Sequence, residues 1–366
     1  MPTRNELNKN ERKRDTMKVG TKLGTVVLGA ALMMVSATSF AGNPDRAGSA
    51  GVGQLLINPW ARSAGLSSSN MASVNGIEAT FGNVAGLTFM RRTEIAFTNT
   101  NYLVGTGINI NAVGFGQRVG ESGYLGLTVM SMSFGDIPIT TEENPAGNIG
   151  SFSPSYANIG ISYAKEFSNS IFGGLTLRVL SESISNVRSQ GISFDAGIRY
   201  VTGENDNVRF GIALKNVGPA MRFKGDGLSV TATLPTTGTS LTVEQRAEKY
   251  ELPSLVNIGF AYDFLLSETM KLTANGQFTS NSFTNDQFGA GLEFNMKNMF
   301  ILRGGYTWET DITNDELSRT AFTGPGAGLT VQVPTGANET IIGIDYSYRL
   351  TNPFNGVHSI GVHIDL

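Results

Sequence analysis

GISFDAGIRYVTGENDNVRFGIALKNV, residues 191–217, decides how this chain is read. Ile192, Phe194, Ala196, Ile198 and Tyr200 interleave with Ser193, Asp195, Gly197 and Arg199; after a short polar break, Val208, Phe210, Ile212 and Leu214 interleave with Arg209, Gly211, Ala213 and Lys215. Successive side chains of a strand point to opposite faces, so each segment has one apolar face and one polar or charged face. A soluble sandwich also alternates, but its strands are shorter than a bilayer is thick. Segments of about ten residues, repeated over most of the chain, predict a transmembrane β-barrel.

Working outward, strands are expected near residues 87–98, 102–116, 123–134, 155–167, 171–181, 191–202, 207–217, 254–264, 269–280, 286–296, 299–309, 327–333, 340–350 and 356–366. That makes about fourteen antiparallel strands, an even number as bacterial single-chain barrels have. Connection lengths test the count, because short turns face the periplasm and long loops the outside. The long stretches 135–154, 218–253 and 310–326 follow odd-numbered strands, and tight turns near 168–170, 203–206, 265–268 and 297–298 follow even-numbered ones. The last segment alternates Ile360, Val362, Ile364 and Leu366 with Gly361, His363 and Asp365, so the apolar phase runs to the terminal residue. Such barrels usually end on an aromatic residue; here Leu366 stands instead.

Composition agrees. The chain has 366 residues, 40% hydrophobic and 16% charged, too polar for a helical membrane protein and poor in charge for a soluble one. The 45 glycines suit a wall that must curve. With no cysteine there is no disulfide framework, thiolate metal site, cysteine nucleophile or lipidated cysteine. Basic residues Arg12, Lys13, Arg14, Lys18 and Lys22 precede the apolar run 26–35, and Ser39, Phe40 and Ala41 form a small-x-small site, so residues 1–41 read as a signal peptide rather than an anchor. Their removal takes seven basic and three acidic residues and leaves 20 Lys and Arg against 27 Asp and Glu, a net charge of −7 that speaks against nucleic acid as a partner. Residues 42–86, rich in glycine and small side chains, do not alternate; they read as an N-terminal plug or hatch inside or beneath the barrel, or as a flexible periplasmic extension, with the barrel itself assigned to 87–366.

If the apolar phase faces lipid, Arg178, Asp195, Arg199, Arg209, Lys215, Asp263, Lys271, Glu293, Arg303, Asp345, Arg349 and Asp365 face the lumen. Their mixed signs fit a structural salt-bridge network better than an ion-selective ring, though a substrate path stays open. Tyr163, Tyr200, Phe260, Tyr262, Phe264, Phe300, Tyr306, Trp308, Tyr346 and Tyr348 lie on the lipid face toward strand ends, as interfacial girdles do. Catalytic signals are thin. His358 and His363 are the only histidines, HExxH and CxxC spacings are absent, and although His363 with Asp365 could begin a triad, no nucleophile is placed beside them, so no enzyme, cofactor or metal is expected. Glu142 and Glu143 form an acidic loop pair of the kind usually just solvated. The loops 135–154 and 218–253 carry apolar groups on an exposed rim: Ile137, Ile139, Phe152, Leu228, Val230 and Leu234 are the candidate cargo- or partner-binding residues, with packing of loop on loop the alternative. Within the second loop, residues 229–234 and 240–244 alternate well enough to form a projecting hairpin.

The stretch GVGQLLINPWARSAGLSSSNMASVNGIEATFGNVAGL, residues 51–87, resembles the opening of the PorV/PorQ proteins of Bacteroidota, distant relatives of the FadL transporters. Further blocks are similar to PorV-like members: YAKEFSNSIFGGLTLRVLSESIS (163–185), GIALKNVGPAMRFKGDG (211–227), VEQRAEKYELPSLVNIGFAYDF (243–264) and IGIDYSYRL (342–350). The resemblance implies a FadL-like outer-membrane barrel of the type IX secretion system. Its implied partners are the large translocon barrel (SprA/Sov-like), the C-terminal domains of cargo proteins, the surface attachment complex, and membrane lipid with lipopolysaccharide. The alternative function is transport of a hydrophobic small molecule past a movable hatch and through a lateral opening. FadL-like hatches commonly carry Asn-Pro-Ala; here Asn83, Val84, Ala85, Gly86 keeps the asparagine and loses the proline.

Overall fold

A computed structural model describes residues 46–314, 316–336 and 340–366, so the expected signal peptide lies outside the described residues. Among these, fourteen strands close into one antiparallel barrel. They are β1 (Thr93–Tyr102), β2 (Ile108–Val119), β3 (Gly123–Ser133), β4 (Ser155–Ser168), β5 (Ile171–Ile184), β6 (Val187–Thr202) and β7 (Val208–Val217), then β8 (Leu255–Ser267), β9 (Met270–Asn281), β10 (Gln287–Met296), β11 (Phe300–Glu309), β12 (Phe322–Thr335), β13 (Thr340–Thr351) and β14 (Val357–Asp365). Each strand pairs with its sequence neighbours, and β1 closes the ring against β14 from Glu94 opposite Asp365 to Asn101 opposite His358. Closure removes the exposed edges that hydrocarbon could not satisfy.

The alternation is borne out along the wall. Ile192, Phe194, Ile198, Tyr200, Phe210, Ile212 and Leu214 are exposed on the outside, whereas Ser193, Asp195, Arg199 and Arg209 are buried inside. In water such a surface would aggregate; against lipid it is the required solvent contact. Tyr163, Tyr200, Phe300, Tyr306, Trp308 and Tyr346 sit on that outer surface.

Three expectations need correction. No strand begins at Leu87: residues Val84–Phe89 form a 3₁₀ helix in which Leu87 is fully buried, and the wall starts at Thr93. The apolar run around Leu87 suits an enclosed helical turn as well as a strand, and periodicity cannot separate them over so few residues. The second strand begins at Ile108 rather than 102, because Leu103, Gly105 and Gly107 at positive φ turn the chain there. The stretch 310–326 is not all loop, since β12 starts at Phe322; a register irregularity between Phe322 and Gly326 masks its alternation in the sequence.

From Arg46, the first described residue, the non-alternating segment occupies the lumen. It enters at the loop-rich end, where Gly51 N–H donates to Glu251 O (2.9 Å) and Arg46 pairs with Glu251 (3.0 Å). It leaves at the short-turn end, where the Thr93 and Leu366 backbones bond to each other. Between these points it folds into short turns of helix, Gly53–Leu56, Ala61–Gly65, Gly76–Phe81 and Val84–Phe89. None is long enough to be stable alone, so packing inside the wall holds them.

Candidate functional site

Short helices leave backbone carbonyls without intrahelical partners, and a lumen offers little water to satisfy them. Here wall cations do so. Arg178 on β5 donates to Thr80 O and, through Nε, to Asp195 Oδ2 on β6 (2.8 Å). Arg199 on β6 donates to Val74 O and to Asn75 Oδ1 (2.8 Å), and Lys215 on β7 donates to Phe81 O (2.6 Å). The Arg178 guanidinium also lies 4.2 Å from the Phe81 ring centre. Three of the expected lumenal cations thus hold the hatch.

Several of the other lumenal charges pair across the wall. Asp263 receives both Arg209 and Lys271 (3.2 Å to the latter), and Glu293 receives Arg303 (2.7 Å). Arg349 lies over the Phe322 ring at 3.7 Å. His363 pairs with Asp345, not with the Asp365 that sequence spacing suggested: Nδ1 lies 2.8 Å from Asp345 Oδ2 and Nε2 lies 3.2 Å from Gln332 Oε1. The register sets Gly343 opposite His363, which makes Asp345 the diagonal cross-strand neighbour. An amide occupies the place a triad serine would need.

A second latch was not legible in the sequence. Arg62 on the hatch donates to Glu78 Oε1 (2.7 Å) and to Glu94 Oε1 on β1 (2.9 Å), and Glu94 Oε2 accepts from Ile77 N–H (2.8 Å). Burial opposes the charge on Arg62, but Glu78, Glu94 and Asp345 outweigh it and hold its pKa well above the ordinary guanidinium value. Gly76, at φ +71°, lies so close to the Glu94 carboxylate that a Cβ would strike it. Asn83 keeps its place in the hatch without a following proline: Oδ1 caps Ala85 N–H (3.2 Å) and Nδ2 donates to Ile198 O on β6 (3.0 Å).

Apolar packing completes the plug. Trp60, Ile77, Phe81, Leu87 and Met90 of the hatch form one buried cluster with Ala96, Ile110, Ala112, Tyr124, Met130, Met132, Tyr156 and Leu180 from β1 to β5. Only the charged inward residues from Arg178 onward stood out in the sequence; the inward face of β1–β4 is largely uncharged.

The ladder between β11 and β12 is incomplete. Their ladder runs from Phe300 opposite Val331 to Tyr306 opposite Pro325 and stops there, three residues before β11 ends. The hatch bridges the gap: Ser67 Oγ donates to Gly324 O (2.9 Å) and Gly305 O (3.3 Å), and Thr307 Oγ1 donates to Ser67 O (2.8 Å).

At the outer rim the six candidate residues fall on two separate ribbons. Ile137 pairs with Phe152 in a two-residue ribbon, and Ile139 follows it. The larger ribbon pairs Ser229–Thr233 with Ser240–Glu244, as its alternation predicts, and Leu228 and Leu234 flank its first strand. Its register places Val230 opposite Val243 and Ala232 opposite Leu241 on one face, with Thr231 and Thr242 on the other. Val230, Leu234, Leu241 and Val243 are all more than 40% exposed. Tyr250 at the stem donates to Glu182 Oε2 (2.8 Å) and Ser189 Oγ (2.6 Å), and burial raises its phenol pKa. Among the described residues no group of three or more His, Cys, Asp or Glu is placed to hold a metal ion.

No family model matches the sequence, and no curated protein matches it. Solved structures do match. A monoaromatic hydrocarbon channel, CymD, superposes with a TM-score of 0.53 at 13% identity, over 84% of this chain and 97% of that one. A FadL homologue of Pseudomonas aeruginosa gives 0.51 at 12% identity, over 83% and 98%. The Ralstonia pickettii toluene transporter TbuX gives 0.50 at 13% identity, over 84% and 97%. At such identities the likeness concerns architecture. The chain therefore has the fold of the FadL-like outer-membrane β-barrels, fourteen antiparallel strands around an N-terminal hatch.

Proposed function

We propose that the protein is an outer-membrane component of the type IX secretion system that binds the C-terminal domain of secreted cargo at the translocon and delivers it to the attachment complex. One observation carries this reading: the lumen is taken up by a hatch held through buried ion pairs, carbonyl bonds and an apolar cluster, while the surfaces without partners are at the outer rim. The apolar face of the ribbon at residues 229–244 is exposed among the described residues. A two-stranded ribbon is marginal alone in water, and its free edges and apolar face suit an added protein strand. The sequence blocks that resemble PorV/PorQ proteins include the stem of this ribbon. In this reading the wall binds the translocon barrel, and lipid and lipopolysaccharide surround both.

The test is affinity purification of the tagged full-length protein from detergent-solubilised outer membrane. Co-purification of a very large barrel or of cargo C-terminal domains supports the proposal. Normal secretion after deletion of the gene sinks it.

A second reading, transport of a hydrophobic small molecule, is favoured by the β11–β12 seam. A wall whose ladder stops beside a hatch residue is a place where a molecule could leave sideways if Ser67 moved. The matched structures described as hydrocarbon channels are compatible with it. Uptake of radiolabelled toluene or fatty acid into cells carrying the protein, above that of cells lacking it, would favour this reading.

A further inference from the structure

We infer that the stem of the outer ribbon carries a binding site for the phosphorylated headgroup of an outer-leaflet glycolipid, with Arg222, Lys224 and Arg246 as its cationic ligands. A cleft of about 370 Å³ is lined by Arg222, Phe223, Lys224, Glu244, Arg246 and Ala247. Three cations and one carboxylate share it, and among the described residues none of the three cations forms an ion pair. On a mature chain with a net charge of −7, this is a local reversal of sign. Three cations against the single carboxylate of Glu244 leave the cleft net positive and favour an anion, and Arg and Lys suit phosphate oxygens.

The height of the cleft on the barrel points to lipid as the source of that anion. Lys224 is bonded backbone to backbone with Arg188 near the start of β6, 2.8 Å and 2.9 Å in the two directions. Along β6 the outward positions read Tyr200, Ile198, Ala196, Phe194 and Ile192, then Gln190 and Arg188. On β5 the apolar outward phase ends at Val179, opposite Ile192, and Ser181 and Ser183 lie opposite Gln190 and Arg188. The eight residue steps from Tyr200 to Ile192 cover roughly 26 Å along the strand, which with its tilt spans most of the apolar band of about 25 Å that such barrels show. Arg188 follows four residues above, roughly 13 Å further along the strand. The change from apolar to cationic outward residues therefore falls where hydrocarbon gives way to headgroups, and the cleft opens beside it. This inference rests on the barrel spanning a membrane and is independent of whether it secretes protein or transports small molecules.

The test uses the full-length protein folded in detergent micelles, with lipid retention read by native mass spectrometry and folding checked by heat-modifiable migration. Diphosphoryl lipid A is added, beside the same lipid without its phosphates, and sodium pyrophosphate serves as a soluble competitor. The expected result is retention of the phosphorylated lipid over the dephosphorylated one, and loss of that retention in the folded variant R222Q/K224Q/R246Q by about fivefold per cation removed. The matched variant R118Q/K165Q/K297Q, with its changes at the short-turn end, keeps the lipid. Equal retention of the dephosphorylated lipid, equal loss in the matched variant, or displacement by pyrophosphate at concentrations equal to the lipid would each overturn the assignment.

Discussion

The two sides of the lumen hold the same hatch by different means. Toward β1–β5 the wall offers Ala96, Ile110, Ala112, Met130 and Leu180 to the hatch side chains Trp60, Ile77 and Leu87. Toward β5–β7 it offers Arg178, Arg199 and Lys215 to the hatch carbonyls of Thr80, Val74 and Phe81. The wall chemistry follows what the hatch presents: side chains meet an apolar surface, and backbone carbonyls meet cations. A polar interior is therefore no fixed property of such a barrel; β2 and β3 carry apolar residues on both faces where the plug is apolar.

This contrast can be broken at either end, and the absence of cysteine makes a single Ala79→Cys a clean reporter, since Ala79 is fully buried in the hatch. Its labelling by a thiol reagent in a urea titration reads hatch release while the wall stays folded. Glu94→Ala has the largest expected effect, about 3–5 kcal/mol less hatch stability, because it leaves Arg62 with one carboxylate fewer and Ile77 N–H without its acceptor. Trp60→Ala, on the apolar side, is expected to cost about 3 kcal/mol, the size of a buried aromatic truncation that leaves a cavity. Lys215→Met removes a donor from Phe81 O and should cost about 1–3 kcal/mol by the same assay. If Lys215→Met releases the hatch more readily than Trp60→Ala, the apolar cluster is not the main clasp.

Ser67→Ala sharpens the comparison at the seam. It removes the hydroxyl that bridges Gly324 O and Gly305 O and should lower hatch stability by about 1 kcal/mol. Faster amide exchange at Trp308 and Glu309 without change along β6 would show that the hatch, not the ladder, closes that gap. Deletion of residues 229–244 has the smallest expected effect on the barrel, no change in heat-modifiable migration, because that ribbon is a separate two-stranded sheet outside the barrel ladder. Loss of secretion with an intact barrel is the outcome the proposed function predicts.

Strand number, strand direction and most strand limits were legible because lipid imposes one rule on every second residue. From β3 to β11 the expected limits differ from the observed ones by three residues or fewer, except at β6, which starts four residues earlier. The misses sit where that rule is silent. At Leu87 the chain has already turned into the lumen, and at Phe322 an irregular register shifts the phase. The lumenal charges are legible in the sequence as inward, but their partners are not, since Arg178 with Thr80 and Lys215 with Phe81 join residues 98 and 134 positions apart. Of the site, the ribbon was predictable from its alternation; the Arg62–Glu78–Glu94 latch was not, because hatch residues follow no period.

Sequence alone determined that this chain forms a closed sheet with its apolar phase outward and its long loops at one end, because alternation with period two and turn chemistry are local properties. Tertiary structure decided that the N-terminal segment fills the lumen, which carbonyls the wall cations satisfy, and that the outer ribbon keeps an uncovered apolar face. Those outcomes depend on contacts between distant segments, which no local period encodes and which exist only once the sheet has closed around the hatch.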